Sequence, residues 1–462
     1  MILINNMRTV LVNLPWFKDG RFGVRAGSRW PFTSKPERDG HIHYIPFPFF
    51  LAYTAALLKK EGKGVKLVDA IAGEMSEAAC IEEIAGFDPG LVLVETSTPS
   101  FKNDMRIIAA IRQSLKGIKI GLCGAHAGEF AAEILKEHES IDYVIVGEYE
   151  QVALDLVNAL EGGRDLRPVA GLAYREGGGV VLSDRRGSVD DLDVLPWPER
   201  LVPLIYKYND GFAGLPCPSV QMLASRGCPF QCSFCLLPQT LYKGNGYRKR
   251  DFMDVVDEME HLVRQFDFKA VYFDDEVFNC DRGYVVKICE EIIRRGLHVP
   301  WAAMTRVDLM DEELLETMAR AGAYAVKYGI ESADQDIRSQ CKKSLDLDKA
   351  RAVIGVTKRL GIKVHLTFCI GLPGETRQTM QSTIDFAREM DPDSLQFTFA
   401  TPYPGTEYFR YAQGKGWLGS VDWDDYDGNE KFIVRTMDLS IDDLESIKPT
   451  LYQIFKGKCG CQ

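Results

Sequence analysis

The chain has 462 residues, 46% of them hydrophobic and 26% charged, the proportions of a soluble globular protein with room for two or three domains. Its formal net charge of -11 excludes nucleic acid as the main partner, because phosphate binding needs clustered Lys and Arg. The start carries no basic stretch followed by an apolar core, and residues 44–58 are too short for a bilayer and hold Pro46 and Pro48; no signal peptide and no transmembrane segment are therefore expected.

In chain order, residues 9–14, 64–70, 91–96, 119–124 and 143–147 read as buried strands, with helices at 49–60, 103–115 and 128–136 between them. Strand-like runs that alternate with amphipathic stretches predict parallel sheets and α/β architecture. The first half, residues 1–165, is thus an open, doubly wound sheet of Rossmann type, with ligands expected at the strand carboxyl ends. Gly, Pro and Asp crowd residues 166–205, which read as a small hairpin and a linker. A second run of strands follows at 220–225, 270–273, 301–304, 325–330, 364–370 and 394–400. Six β/α units over residues 206–414 make a partial TIM-type barrel, its chemistry expected where the strands end. Residues 415–462, with Trp417, Trp423 and Tyr426, form an extension expected to close one side of the barrel mouth.

The first barrel strand runs into Arg226-Gly-Cys-Pro-Phe-Gln-Cys-Ser-Phe-Cys, which places Cys228, Cys232 and Cys235 in a C-x3-C-x2-C spacing. Three thiolates on one short loop can hold three corners of an iron–sulfur cube and leave the fourth iron open. A structural zinc site wants four ligands in two close pairs, and no matching pair stands elsewhere. A disulfide framework suits short secreted chains; twelve cysteines without an export signal point instead to a reducing cytoplasm.

Further polar residues stand at the predicted strand ends: Asp274, Asp275 and Glu276 after the second, Arg306 after the third, Glu331 and Ser332 at the fourth. Gly371-Leu-Pro-Gly-Glu-Thr ends the fifth and Thr401-Pro-Tyr-Pro-Gly-Thr the sixth. With the cysteine loop these segments, over residues 219–409, resemble the radical S-adenosylmethionine (SAM) enzymes. The resemblance implies a [4Fe-4S] cluster whose open iron binds the amino and carboxylate groups of SAM. It also implies that one-electron reduction of the sulfonium yields a 5′-deoxyadenosyl radical. On this reading the carboxylates 274–276 accept from the SAM ammonium, and Arg306 meets its carboxylate bidentately. Glu331 and Ser332 bind the ribose or amino-acid edge, and Gly371 lets the backbone approach the adenine.

In the first half, Glu95-Thr96-Ser97-Thr98, Leu122-Cys-Gly124-Ala-His126 and Asp142 through Gly147-Glu148-Tyr-Glu150 follow strands. They resemble the cobalamin-binding subclass of the same family, as does the Leu-Pro-Trp-Pro connector. Thr96, Ser97 and Thr98 would meet the corrin's amide side chains, with Gly124, Gly147 and Glu148 at the turns beside it. A nicotinamide site would need G-x-G-x-x-G after the first strand, and the sequence has none. Proteins that ligate cobalt through histidine carry D-x-H-x-x-G; the nearest match, Asp39-Gly-His-Ile-His, lacks the closing glycine, so no cobalt ligand is expected there. His126 is expected to be structural.

Cys80, Cys123, Cys289, Cys341 and Cys369 are expected to be core thiols, with Cys217 and Cys280 nearer the mouth and Cys459 and Cys461 in a tail. No catalytic side chain is assigned. The expectation is a cytoplasmic enzyme with cluster, SAM and cobalamin that methylates an unactivated carbon of a small molecule or lipid precursor. It would need an external one-electron donor such as flavodoxin or ferredoxin. Cyclisation or rearrangement without methyl transfer is the alternative, and a non-catalytic metal-binding protein a remote one.

Overall fold

The structure is a computed structural model that describes residues 7–24, 31–34, 44–184, 187–209, 212–244, 246–420 and 422–455. The Asp39–His43 stretch, Cys459 and Cys461 lie outside the described residues.

Two sheets organise the fold. Five parallel strands of the first, Thr9–Asn13, Val65–Asp69, Leu91–Glu95, Lys119–Cys123 and Tyr143–Ile145, stand in the order 2-1-3-4-5. Their apolar runs are buried on both faces, as parallel strands covered by helices must be. The hairpin expected in the connector, Leu172–Glu176 with Gly179–Leu182, extends this sheet: Tyr143 stands opposite Tyr174 in an antiparallel pair. Strand order reverses between the first and third strands, so the loops leaving them diverge and open a crevice. Residues 96–98 lie at that switch point.

The second sheet is built in strict sequence order from Ser219–Met222, Ala270–Phe273, Trp301–Thr305, Ala323–Glu331, Lys363–Ile370 and Ser394–Phe399, all parallel. Each strand is followed by a helix over the outer face, and one large apolar core fills the space between. This is the α/β pairing of a Rossmann-like sheet with a partial barrel. The extension after the last barrel strand packs Phe432 on Phe399 with centroids 4.3 Å apart. It also reaches the first domain, where Trp423 meets His126 and Phe130 at 5.4 and 5.5 Å and Asp422 pairs with Lys102 at 2.7 Å. Among the described residues no helix is long and apolar enough to cross a membrane.

Candidate active site

The loop after the first barrel strand is held in one shape before any ligand is considered. Gly227 sits at φ +88°, and a Cβ there would lie 2.1 Å from the carbonyl oxygen of Gly246, so only glycine fits. Cys235 donates its amide to the carbonyl of Cys232 at 3.1 Å. From the short helix that follows, Leu236–Thr240, the Gln239 amide donates to the carbonyls of Cys232, Ser233 and Cys235 at 3.2, 3.0 and 2.8 Å. Its oxygen accepts from the Glu407 amide at 2.7 Å. Three acceptors on one side and a donor on the other fix which end of the amide is which.

Cys228, Cys232 and Cys235, none of them in a disulfide, line one cavity of about 150 Å³, together with Glu276, Arg306, Lys327, Glu331 and Lys343. Burial pushes the Cys228 thiol up to about 11. It raises that of Cys232 as well, against the Lys343 and Arg306 cations. Loading iron must therefore expel protons. Among the described residues no three His, Cys, Asp or Glu side chains converge on a single metal ion; three separate thiols around a cavity instead match a cube, which takes each thiolate at its own corner.

The polar wall of this cavity is built by backbone detail. Glu276 accepts from the Gly227 amide at 2.8 Å and from the Tyr242 hydroxyl at 2.9 Å, which ties the second strand end to the cysteine loop. Glu331 is left-handed, φ +65°, just past a register shift at Gly329; such a bulge re-aims a side chain. Its carboxylate meets Lys343 at 2.5 Å. The pair rests against Gly329, where a Cβ would fall 2.6 Å from the Glu331 oxygen and 2.8 Å from the Lys343 nitrogen. Lys343 also borders an open groove of about 580 Å³ with Arg338, Ser339 and Ser344.

Not every expected residue reaches the cavity. Arg306 does, over the Phe230 ring at 3.6 Å, but its fork is occupied by Asp308 at 3.0 and 2.8 Å, so a bidentate grip on a ligand carboxylate is not available. Asp275 points into the core, bonded to the Ser225 hydroxyl and the Ala224 amide, and burial lifts its carboxyl to about 7. Asp274 is buried and lines neither cavity. Ser332 is fully buried against Thr383, and its hydroxyl accepts from the amide of Asp334, the residue that caps the next helix. Gly371 gives its amide to Glu375 and faces Phe432.

A second, narrower cleft of about 50 Å³ lies at the switch-point end of the first sheet. Thr96, Ser97, Thr98, Gly124, His126 and Tyr149 line it, and Leu236, Leu237 and Leu241 of the barrel domain close it. Gly124 holds φ +105°, and a Cβ there would lie 2.5 Å from the Thr96 carbonyl oxygen, so its backbone stays bare toward a flat ligand. Hydroxyls on one wall and leucines on the other suit a large ring with polar edges. At this width, a macrocycle of corrin size needs the walls to part. Burial drops the His126 imidazole to about 3; its Nδ1 faces the Thr98 hydroxyl at 3.2 Å, and aromatic rings pack around it at tilted and edge-on angles. Gly147 and Glu148 line neither cavity: the Glu148 carboxylate is committed to Arg226 and Arg248. The five cysteines expected in the core are buried.

Sequence reasoning missed Gln239, Lys343 and Tyr149. Gln239 left a trace, four residues past Cys235 on the helix the loop feeds, and Tyr149 stands inside the segment 142–150 already singled out, between two glutamates.

Comparison with known proteins shows the family. Residues 222–387 match the family model of the radical SAM superfamily and residues 40–157 that of the B12 binding domain. An uncharacterized methyltransferase of Pyrococcus horikoshii is 32% identical over 382 residues, covering 82% of this chain and 81% of that protein. The chain belongs to the B12-binding radical SAM family. It is therefore an enzyme, and its cofactors are a [4Fe-4S] cluster, SAM and cobalamin. An anaerobic magnesium-protoporphyrin IX monomethyl ester cyclase of Rubrivivax gelatinosus is 33% identical over 378 residues, 79% of this chain and 66% of that one. The fold matches that of TsrM, a radical SAM methyltransferase from Kitasatospora setae solved with cobalamin and a [4Fe-4S] cluster bound. The TM-score is 0.72 at 19% identity, over 96% of this chain and 91% of that chain. As a radical SAM enzyme the chain needs a reductant and a small-molecule substrate.

Proposed function

We propose that the chain replaces a hydrogen on an unactivated carbon, in a small molecule or lipid precursor, by a methyl group drawn from SAM. Adjacency carries this reading: Cys235 lines the cysteine cavity and Leu236, the next residue, lines the cleft of the first domain. A radical made beside the cysteines and a methyl donor held in the cleft are thus within reach of one substrate between them. When bound, the cluster supplies the electron that breaks the sulfonium carbon–sulfur bond, and the corrin supplies a cobalt that takes and gives a methyl group.

The chain's own residues bind and orient. Cys228, Cys232 and Cys235 hold the cluster. Glu276, fixed by Gly227 and Tyr242, accepts from the SAM ammonium. Lys343 and Arg306 face its carboxylate as point charges, and Glu331 takes the ribose hydroxyls. Thr96, Ser97 and Thr98 meet the corrin's amide arms, Gly124 lets backbone approach the ring, and His126, kept neutral by burial, braces the wall. Each turnover converts one substrate R–H, two SAM and two electrons from a flavodoxin- or ferredoxin-like donor. The products are R–CH3, S-adenosylhomocysteine, 5′-deoxyadenosine and methionine, with the substrate hydrogen carried off on 5′-deoxyadenosine.

The test is anaerobic reconstitution with iron, sulfide and cobalamin, then reduction and addition of methyl-deuterated SAM. S-adenosylhomocysteine and 5′-deoxyadenosine formed together support methyl transfer. The likeness to the cyclase favours a second reading, cyclisation or rearrangement, which predicts 5′-deoxyadenosine without S-adenosylhomocysteine. Zinc in place of roughly four irons per chain would refute both.

A further inference from the structure

A buried ion network crosses from one cofactor site to the other. Arg226, 2% exposed, stands two residues before Cys228. Its Nη1 lies 2.6 Å from Glu150 and 3.3 Å from Glu148. The guanidinium plane covers Tyr53 and Phe50, with centroids 4.6 and 4.9 Å away. Arg248 clamps Glu148 from the other side at 2.7 and 3.0 Å. Glu148 comes from the loop after the fifth strand of the first sheet, Glu150 opens the helix Glu150–Glu161 that follows, and both arginines come from the barrel domain. Burial works against the charge on Glu148, yet Arg226 and Arg248 bring its carboxyl below the usual range.

Each end of the network is one residue from a cofactor site. Tyr149, between the two glutamates, lines the cleft and donates to Glu95 at 3.0 Å. Gly227, next to Arg226, donates to Glu276 in the cysteine cavity. Buried ion pairs rarely add net stability over an apolar contact of the same volume, so what this one contributes is direction and register. A ligand that parts the walls of the cleft must shift Tyr149, and with it the two carboxylates that hold the residue before Gly227.

We propose that Arg226 is a positioning residue that couples the two cofactor sites: occupancy of the cleft sets the placement of the cysteine loop, and a loaded cysteine loop tightens the cleft. The proposal rests on the two-site reading for the identity of the ligands, and the coupling is reciprocal by thermodynamic necessity.

The experiment measures hydroxocobalamin affinity on the full chain, anaerobically, with and without reconstituted cluster. In parallel it records the EPR spectrum of the reduced cluster with and without cobalamin. In the unmodified protein the cluster tightens cobalamin binding by about 5-fold or more, and cobalamin changes the EPR line shape. Glu148→Gln leaves Arg226 paired with Glu150, and Glu150→Gln leaves it paired with Glu148. Both take up iron and cobalamin, but the coupling factor falls toward one and the EPR change shrinks. Arg226→Lys, with one compact ammonium in place of the fork, gives an intermediate factor. A merely structural role lowers the melting temperature of these variants and leaves the factor unchanged, which overturns the proposal. A factor of one in the unmodified protein, with both groups bound, also overturns it and leaves the proposed function standing. A protein that binds neither group overturns both.

Discussion

Gln239 offers the sharpest check on how the cysteine loop is held. Its amide spends two N–H groups on three carbonyls of the loop and its oxygen on the Glu407 amide. At about 1 kcal/mol net per hydrogen bond, Gln239→Ala forfeits about 3 kcal/mol that favours the closed loop, on the order of 100-fold in its opening equilibrium. Gln239→Glu is nearly the same shape, yet it sets a carboxylate against three carbonyl oxygens. Unless protonated, it replaces attraction by repulsion at a half-buried position, so Glu is worse than Ala and grows worse as pH rises. The assay is the rate at which a chelator strips iron from the reconstituted protein under anaerobic conditions, between pH 6 and 8. The expected order is unmodified, then Ala, then Glu. Glu equal to or slower than Ala across that range would refute the assigned donor geometry.

Other outcomes follow from the same geometry. Gly124→Ala forces a Cβ to 2.5 Å from the Thr96 carbonyl oxygen in a backbone conformation, φ 105° and ψ 170°, that is essentially reserved for glycine and costs other residues about 1–3 kcal/mol; cobalamin affinity, read by absorbance titration, should fall about tenfold or more with iron content unchanged. Gly329→Ala pushes Lys343 and Glu331 out of their seat and should raise the KM for SAM, measured from 5′-deoxyadenosine release, more than it lowers kcat. Asp275 keeps its proton up to about pH 7 when folded and releases it near 4 when unfolded. The native state therefore binds more protons between about pH 4 and 7, and stability falls as pH rises through that window by an order-of-magnitude 4 kcal/mol. Asp275→Asn can keep both hydrogen bonds if the Ser225 hydroxyl turns, and denaturation midpoints against pH should then show a shallower slope; an unchanged slope counts against the burial argument.

The strands were legible because each carries its own apolar run, and the cysteine loop because its spacing is local. Helix Phe49–Lys60 and strand Ala270–Phe273 stand where their residues alone put them. Pairing across distance was not legible. Nothing in Leu172–Glu176 says that it lies beside Tyr143–Ile145, and nothing near Glu148 points to Arg226 or Arg248 in another domain. The acidic triplet at 274–276 shows the same limit: three adjacent carboxylates look alike in sequence, yet pairing of the Asp274 amide with the Met222 carbonyl fixes the register, and only Glu276 faces the cavity. Lys343 stayed hidden because the seat that gives it meaning is a missing side chain, at Gly329.

The contact of Trp423 with His126 bears on the order in which this molecule can be made. Synthesis runs from the amino end, and the first sheet emerges long before the barrel or the segment that carries Trp423. Through that interval Glu148 and Glu150 have no arginines, and His126 and Phe130 lack one of the rings that cover them. The nascent first domain is thus half-walled, open on the side that the barrel leucines and Trp423 later cover. On the proposed function a macrocycle enters more easily then than later, so cobalamin offered during synthesis is expected to charge the protein more readily than cobalamin offered to the finished chain.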